Sequence, residues 1–483
     1  MQSDHHKKTL IISFFHGLNA ITFILALGLM NRKIQGESLG LFLLANSFCG
    51  IIITFFDFGL SKLIIRRLNS DKCDTFNKSF LQTIYAYNAL LILLIFCLSG
   101  YVSNFLFDNW LNVDNSFDRF DMKMSLNILL IAFSFNIIFE FVKTNLLAVE
   151  KHMTYAVMSF LFGGGFMIIL ILNLEIFGYE NLSNITLVLK ILIAFLTVVL
   201  LVPFINKFKI YPIIHSLEFS KIINEIKPFI KIGILTVFTK NIDKLILTRI
   251  LTLEFYAIYE ILLQTVSRIS VIVAFSNKIA MPKIVQDMKL DTTQLKNNWK
   301  ALSVYAIFIT WPVYTIIYLK SDLLFFDLLG VSEKQLIYDF LPPVLALFFI
   351  NSLLRVSNTI FISCGNENEL VKNQIILFIV LIILLPLFLI IKNVDFLLWT
   401  LAFINFFMFI RLSMKFLDGG IKNLKTSIFL ISIGLLAQII LIILVLIIRS
   451  FLYYNDIYYI MVIGILYLVF MPKVLKLINY NRI

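Results

Sequence analysis

Residues 228–282 read PFIKIGILTVFTKNIDKLILTRILTLEFYAIYEILLQTVSRISVIVAFSNKIAMP, and this stretch decides the fold. It contains two apolar segments, 229–248 and 255–277, joined by a short polar connection. Each segment has roughly the 20 residues that a helix needs to cross a bilayer. Ionisable groups are costly inside a membrane unless they face water or each other, yet several interrupt these segments. They are Lys240, Asp243, Lys244, Glu260 and Arg268. The combination predicts two transmembrane helices that line a polar path, as in a transporter core.

The composition extends this prediction to the whole chain. Of 483 residues, 60% are hydrophobic and 14% are charged, whereas soluble domains are about 45–50% apolar and about 25% charged. The chain is therefore predicted to be an all-α, polytopic membrane protein. Its net charge of +12 is explained by basic residues in short loops, so we expect no nucleic-acid partner. The first apolar segment lacks a small-residue cleavage pattern and is interpreted as a retained helix.

Fourteen apolar segments are candidate membrane spans. They cover about residues 10–30, 39–60, 80–107, 124–148, 154–177, 185–205, 228–248, 255–278, 299–320, 338–362, 371–391, 395–415, 427–449 and 457–477. An even number places both termini on one side of the membrane. Most loop lysines and arginines lie on the side of the termini, so the positive-inside rule predicts that both termini are cytoplasmic.

The sequence contains no sign of a metal site or a catalytic centre. Its four cysteines form no CxxC motif, and its five histidines form no HExxH motif. No stretch outside the predicted spans exceeds about 20 residues, so no soluble domain is expected. We therefore predict no cofactor, no metal, no catalytic residue and no enzymatic activity.

A faint internal repeat relates the two halves of the chain at an offset of 217 residues. Arg32 aligns with Arg249, and Glu37 aligns with Glu254. Parallel repeats predict two lobes related by an axis along the membrane normal. We therefore expect two six-helix lobes and two extra helices. The predicted boundaries are 1–206 for the N-lobe, 207–227 for a cytoplasmic linker, 228–416 for the C-lobe, and 417–483 for the segment that contains predicted spans 13 and 14.

Two short motifs carry a resemblance to a known superfamily. The run Ile242-Asp243-Lys244, followed by Ala257-Ile258-Tyr259, resembles the seventh and eighth helices of the multidrug/oligosaccharidyl-lipid/polysaccharide exporter superfamily. That superfamily contains Wzx-type O-antigen and polysaccharide flippases, lipid II flippases and multidrug exporters. The stretch FFDFGLSKLIIRRL, residues 55–68 around the end of the second predicted span, looks like the corresponding Wzx-type helix, with Arg66 or Arg67 at the basic position. Lipid II flippases carry arginines in their first helix, whereas this chain has none before Arg32, which favours the polysaccharide branch.

The predicted spans contain more cationic than anionic side chains, which suits an anionic cargo. Arginine can bind a diphosphate in bidentate fashion, and a cationic cavity concentrates such a ligand. The predicted substrate-binding residues are Arg268, Arg355, Lys240, Arg66 and Lys143. Static ion pairs are the alternative for Arg268, Arg355 and Lys240. Snorkelling to the interface is the alternative for Arg66 and Lys143.

Three carboxylates are candidates for coupling transport to an ion. Asp243, Glu140 and Glu260 each lie inside a predicted span, where a charge requires a partner. A proton or another cation is one such partner, although fixed ion pairs would give the same sequence pattern. Lys240 and Asp243, and likewise Glu140 and Lys143, are spaced to share a helix face. Pro312, Pro386 and the triplet at 163–165 can bend helices or let neighbours pack closely.

The leading interpretation is a flippase. The resemblance implies that the chain moves a polyprenyl-diphosphate-linked oligosaccharide, an O-antigen or capsule repeat unit, to the outer leaflet of the cell inner membrane. It also implies membrane lipids, a polysaccharide polymerase and a chain-length regulator as partners. A multidrug or metabolite cation-coupled antiporter of the same superfamily is the alternative. A membrane-bound polymerase would need a large outer loop with catalytic residues, and none is present.

Overall fold

The computed structural model describes residues 2–34, 36–57, 60, 74–111, 119–148, 151–208, 216–268, 292–363 and 367–416. These residues are almost entirely helical, which confirms the predicted all-α fold. Within them, eight helical segments are long and apolar enough to cross a membrane. The protein is therefore a multi-pass membrane protein. Predicted spans 13 and 14 lie outside the described residues.

The helices follow the predicted spans 1–12 in order. The first eight are α1 (Gln2–Lys33), α2 (Gly36–Asp57), α3 (Asp74–Phe105), α4 (Arg119–Ser134), α5 (Asn136–Ala148), α6 (His152–Phe160), α7 (Phe166–Phe177) and α8 (Leu182–Phe208). The next six are α9 (Ser216–Ile250), α10 (residues 253–268), α11 (Thr292–Leu319), α12 (Lys334–Ser363), α13 (Glu367–Ile391) and α14 (Val394–Phe416). Predicted span 4 is divided into α4 and α5, and predicted span 5 into α6 and α7.

Wide π-helical turns interrupt or extend three of these helices. They are Leu106–Trp110 after α3, Leu161–Gly165 between α6 and α7, and Asp322–Leu328 after α11. A π-helical turn adds a residue to the regular helix, and such turns often occur at functional sites. The prolines behave differently, because α11 continues through Pro312 and α13 continues through Pro386.

The chain divides into two compact units that are not continuous in sequence. The first consists of Met1–Leu262, Phe325–Lys334 and Ile383–Lys392. The second consists of Leu263–Leu324, Gln335–Ile382 and Asn393–Ile483. The lobes expected at 1–206 and 228–416, the linker 207–227 and the C-terminal segment 417–483 stay predictions.

In the second unit, two tryptophans organise the packing around α11. Trp299 is buried, donates a hydrogen bond to the Ser357 hydroxyl at 3.2 Å, and stacks on Phe409 at a centroid distance of 6.4 Å. Trp311 meets the Phe349 ring edge-on at 4.7 Å. These contacts tie α11 to α12 and α14, because the indole rings bury large areas and prefer such offset geometries.

In the first unit, α1 packs closely against the π-helical turn between α6 and α7. The Gly164 amide donates a hydrogen bond to the Asn19 side-chain oxygen at 2.5 Å. A Cβ at Gly163 would lie 2.2 Å from that oxygen, and a Cβ at Gly164 would lie 1.8 Å from the Thr22 hydroxyl. Only glycine permits this approach, so the triplet at 163–165 lets two helices pack at short range.

We predict that Gly164→Ala lowers the free energy of unfolding by about 1–3 kcal/mol, because the added methyl group would overlap the Thr22 side chain. Thermal unfolding of the purified protein in detergent measures the loss. Gly100→Ala is the matched control, since nothing lies within 4 Å of a Cβ at that position and alanine favours a helix by about 1 kcal/mol. An unchanged midpoint for Gly164→Ala would contradict the close packing of α1.

Candidate functional site

Polar and charged side chains from α2, α9 and α10 come together inside the first unit. We call this group the buried charge cluster. It consists of Ser47, Asp243, Lys244, Tyr256, Tyr259 and Glu260. All six lie in segments predicted to cross the membrane. Groups of this kind require partners there, because hydrocarbon supplies no hydrogen bonds.

Glu260 is the centre of the buried charge cluster and has no solvent exposure. One of its carboxylate oxygens, Oε1, accepts three hydrogen bonds. The donors are the Lys244 ammonium at 2.8 Å, the Tyr256 hydroxyl at 2.9 Å and the Ser47 hydroxyl at 3.0 Å. Lys244 also donates to the Ser47 oxygen at 3.0 Å, which orients that hydroxyl toward Glu260. The carboxylate is therefore stabilised as an anion by donors from three helices.

Asp243 has a separate partner within the same cluster. It is 6% exposed, and its Oδ2 accepts a hydrogen bond of 2.6 Å from the Tyr259 hydroxyl. The helix geometry explains why Asp243 and Lys244 have different partners, since neighbouring residues on α9 point about 100° apart. Asp243 therefore reaches Tyr259, whereas Lys244 reaches Glu260. The Lys240 side chain, expected on the same face as Asp243, lies outside the described residues.

The buried charge cluster contains two carboxyl groups and one ammonium group. If both carboxylates are ionised, the six residues carry one net negative charge in a region shielded from water. Burial of excess negative charge is unfavourable, so a proton, a bound cation or a neighbouring basic side chain would stabilise the cluster. The arrangement is thus chemically suited to exchange a positive charge. Among the residues that the structure describes, no three metal-ligating side chains come together as a metal site requires.

Glu140 and Lys143 form the second predicted pair, on α5. The Lys143 ammonium lies 2.8 and 3.0 Å from the two Glu140 oxygens, as the i,i+3 spacing predicts. The same ammonium lies 5.4 Å from the centre of the Phe139 ring. The Lys143 side chain is 25% exposed and the Glu140 side chain is 45% exposed. Both groups are therefore more accessible than Glu260, which has no exposed surface.

The remaining predicted residues are spread over the chain. Arg268 on α10 and Arg355 on α12 are both half-buried and both belong to the second unit. Each takes part in further interactions. Arg66, like the Lys240 side chain, lies outside the described residues. The structure therefore brings two predicted coupling residues, Asp243 and Glu260, into one cluster, and it places Glu140 with Lys143 elsewhere in the first unit.

Two sets of polar residues escaped the sequence-based prediction. Ser47 and Tyr256 belong to no motif, and Tyr259 was noted only in the run Ala257-Ile258-Tyr259 and not as a site residue. The four-residue spacing of Tyr256 and Glu260 places both on one helix face. Lys190 on α8 is 4% exposed and donates to the Asn136 side chain at 2.9 Å. Its ammonium also lies 3.9 Å from the centre of the Phe166 ring. A single lysine in an apolar run was the available signal.

The described residues thus form an all-helical, multi-pass membrane fold with ionisable groups buried inside its predicted spans. Residues 29–332, more than half of the chain, match the model of a family described as polysaccharide biosynthesis protein. The chain belongs to this family of polysaccharide biosynthesis proteins. A search of curated protein sequences finds no match.

Solved structures of transporters share the fold. One is described as "Lipid II flippase MurJ, inward closed conformation", with a TM-score of 0.71 and 16% identity over 98% of this chain and 99% of that chain. Another is an inward-facing multidrug resistance MATE family transporter of the MOP superfamily, with a TM-score of 0.64 and 13% identity over 87% of this chain and 99% of that chain. A MOP superfamily transporter from Pyrococcus furiosus has a TM-score of 0.51 and 14% identity over 84% and 96% of the respective chains. The family and the shared fold confirm the resemblance first seen in Ile242-Asp243-Lys244.

We predict that Lys244→Met destabilises the protein by about 3 kcal/mol, because Glu260 would lose the cation that compensates its buried charge. The double variant Lys244→Met/Glu260→Gln should recover part of the loss, since it also removes the charge. Chemical unfolding in detergent measures both effects. Lys143→Met is the matched control and should lower stability by less than about 1 kcal/mol, because its partner Glu140 is exposed. Equal losses of stability in Lys244→Met and Lys143→Met would show that the Glu260 carboxylate is hydrated and needs no compensating cation.

Proposed function

We propose that this protein moves a polyprenyl-diphosphate-linked oligosaccharide, an O-antigen or capsule repeat unit, from the cytoplasmic to the outer leaflet of the inner membrane. Transport would proceed by alternating access, with both termini in the cytoplasm. One observation carries the proposal: a member of a polysaccharide biosynthesis family shares its fold, over 98% of the chain, with a lipid II flippase. Flipping makes and breaks no covalent bond, so the proposed activity is not enzymatic.

The physical requirement for such a cargo is cationic help across the bilayer. A diphosphate carries charge that hydrocarbon does not solvate, whereas its lipid chain remains in the membrane. We propose that Arg268 and Arg355 provide the main contacts, with Lys240, Arg66 and Lys143 as further contacts. A guanidinium remains charged at every physiological pH and binds phosphate oxygens in pairs, whereas an ammonium provides a point charge. The half-buried position of Arg268 and Arg355 is compatible with this role.

Cation-coupled antiport of a drug or metabolite is the second candidate function. The observation that favours it is the buried charge cluster, which contains more carboxyl groups than ammonium groups. The two functions differ in the charge of the cargo, because an organic cation would be attracted to carboxylates and a diphosphate to arginines. The membrane lipids, a polymerase and a chain-length regulator are the partners that we propose for the flippase.

We predict that Arg268→Ala abolishes export of the surface glycan while the protein remains folded and inserted. Arg268→Lys should retain partial activity, because the charge remains and the bidentate geometry is lost. Glycan on the cell surface is measured by labelling, and protein in the membrane by immunoblotting. Lys372→Ala is the matched control, since that lysine is 62% exposed and its ion pair within the described residues is with Glu369 on its own helix.

Two results would contradict the assignment of Arg268. Normal glycan export by Arg268→Ala would show that this arginine is not the anchor of the diphosphate. Loss of the variant protein from the membrane would instead show that Arg268 is a structural ion-pair partner. If cells with the native protein gained drug resistance, and its removal left the surface glycan unchanged, the antiporter would be favoured.

We further propose that a carboxylate among Asp243, Glu260 and Glu140 exchanges a proton or a cation during the cycle. Asp243 is the leading member, because Lys244 already compensates Glu260, and Glu140 forms an ion pair with Lys143 on its own helix. Asp243→Asn should reduce transport roughly tenfold and make the remainder insensitive to the proton gradient. The measurement is glycan export with and without a protonophore and a sodium gradient. Normal transport by all three neutralised variants, with no response to either gradient, would contradict the proposal.

A further inference from the structure

Two repeat-related arginines lie just after the first and seventh predicted spans. Arg32 is next to the last residue of α1, and Arg249 is next to the last residue of α9. The sequence repeat aligns them at an offset of 217 residues. Both side chains are exposed at the end of their helix, and both bind main-chain carbonyl groups far away in the sequence.

The first set of contacts joins the end of α1 to residues 327–330. Arg32 donates a hydrogen bond to the Asp327 carbonyl. The neighbouring Asn31 side chain donates to the carbonyls of Leu329 at 3.1 Å and Gly330 at 3.0 Å. We call this set of contacts the α1 latch. All of its residues belong to the first compact unit.

The second set of contacts joins the end of α9 to the end of the π-helical turn after α3. Arg249 donates to the carbonyls of Asn109 at 2.9 Å and Trp110 at 3.1 Å. In return, the Trp110 indole N–H donates to the Leu245 carbonyl and the Thr248 hydroxyl, each at 3.1 Å. We call this set of contacts the α9 latch, and it too lies within the first unit.

The two latches obey the same repeat. Trp110 and Asp327, whose carbonyls accept from the arginines, are 217 residues apart, as are Arg32 and Arg249. Both acceptors also lie in π-helical turns, Leu106–Trp110 and Asp322–Leu328. The last carbonyls of a helix have no partner within the helix and carry partial negative charge, so each turn provides a site for a cation.

The latches connect the repeats reciprocally. Arg32 belongs to the first repeat and holds a turn of the second, whereas Arg249 belongs to the second repeat and holds a turn of the first. The seam between them is tight, because a Cβ at Gly28 would lie 2.7 Å from the Leu328 carbonyl and one at Gly40 would lie 2.2 Å from the Leu253 carbonyl. Leu329 and Leu253 are correspondingly buried, at 0% and 4% exposure.

We propose that Arg32 and Arg249 form a repeat-related pair of latches. They keep closed the face of the protein at which α1 and α9 end, and both release when that face opens. Each arginine binds the other repeat, so the repeats separate at this face only when both sets of hydrogen bonds break. The inference rests on the proposed transport function only in requiring that this face opens. It assigns to Arg32 and Arg249 a role distinct from contact with the cargo.

Lys33 provides a matched control. It follows Arg32 directly, carries the same positive charge, and forms an ion pair with Glu175 of α7 at 3.1 Å. Both members of that pair are about half exposed and both belong to the first repeat. Removal of Lys33 therefore deletes a cation from the same face without breaking a contact between the repeats.

The test measures the reactivity of buried cysteines in the full-length protein, purified in detergent. The four native cysteines are replaced by serine, and Leu329→Cys or Leu253→Cys is introduced as a reporter beneath the seam. A water-soluble maleimide labels the reporter whenever the face opens. Arg32→Met and Arg249→Met keep the apolar stem of the side chain and remove the charge. A third reporter, Leu170→Cys, lies fully buried on α7 and detects general unfolding.

We expect each arginine variant to increase the labelling rate of both seam reporters about fivefold, and the double variant to increase it about 25-fold. Lys33→Met should not increase the labelling rate of the seam reporters. The arginine variants should not increase the labelling rate of the Leu170→Cys reporter. An unchanged rate in the double variant, or an equal increase with Lys33→Met, would overturn the proposal. An increase at Leu170→Cys would also overturn it, since the arginines would then stabilise the whole fold.

The labelling needs no substrate, so it separates this proposal from the proposed function. Faster labelling in a protein that exports no glycan would retain the latches and reject the flippase. Normal glycan export with unchanged labelling in the double variant would reject the latches and retain the flippase.

Discussion

The structure of the first unit depends on a buried carboxylate that must be compensated. Glu260 has no contact with solvent, and its oxygen accepts from Lys244, Tyr256 and Ser47. Because these donors come from α2, α9 and α10, satisfaction of one carboxylate fixes three helices relative to each other. In a membrane, such polar contacts determine which helix faces meet more strongly than apolar packing does, since lipid chains are as apolar as leucine side chains.

A second constraint acts at the helix ends, where main-chain carbonyl groups lack partners. The π-helical turns after α3 and α11 end with carbonyls that accept from Arg249 and Arg32, respectively. Glycines complement these polar contacts, because Gly28 and Gly40 allow the backbones to approach closely at the same seam. Charge and small residues thus act together where the two repeats meet, as expected when helices cannot rely on the hydrophobic effect.

Apolar patterning contributed little to the prediction of neighbouring helices. On α13, Ile383 and Ile390 are 68% and 77% exposed, although the same helix buries Leu381 and Phe388. Lipid-facing and core-facing positions are therefore equally hydrophobic, and the 3.6-residue period that marks the buried face of a soluble helix is absent. Within the described residues, the positions of predicted spans 1–12 could be read from the sequence, whereas the faces that these helices bury could not. The breaks within predicted spans 4 and 5 were also invisible, because turns such as Leu161–Gly165 retain helical composition.

The sequence alone determined the fold class, the order of the helices and the family, because length and apolarity define a span and short motifs such as Ile242-Asp243-Lys244 persist. It also identified Asp243, Glu260 and the Glu140–Lys143 pair, because an ionisable residue in an apolar run is conspicuous and i,i+3 neighbours meet on any helix. Only the tertiary structure decided that Lys244 compensates Glu260, that Tyr259 binds Asp243, and that Arg32 and Arg249 bind the carbonyls of Asp327 and Trp110. These contacts join residues up to 295 positions apart, and their geometry depends on how helices pack, which no local pattern specifies.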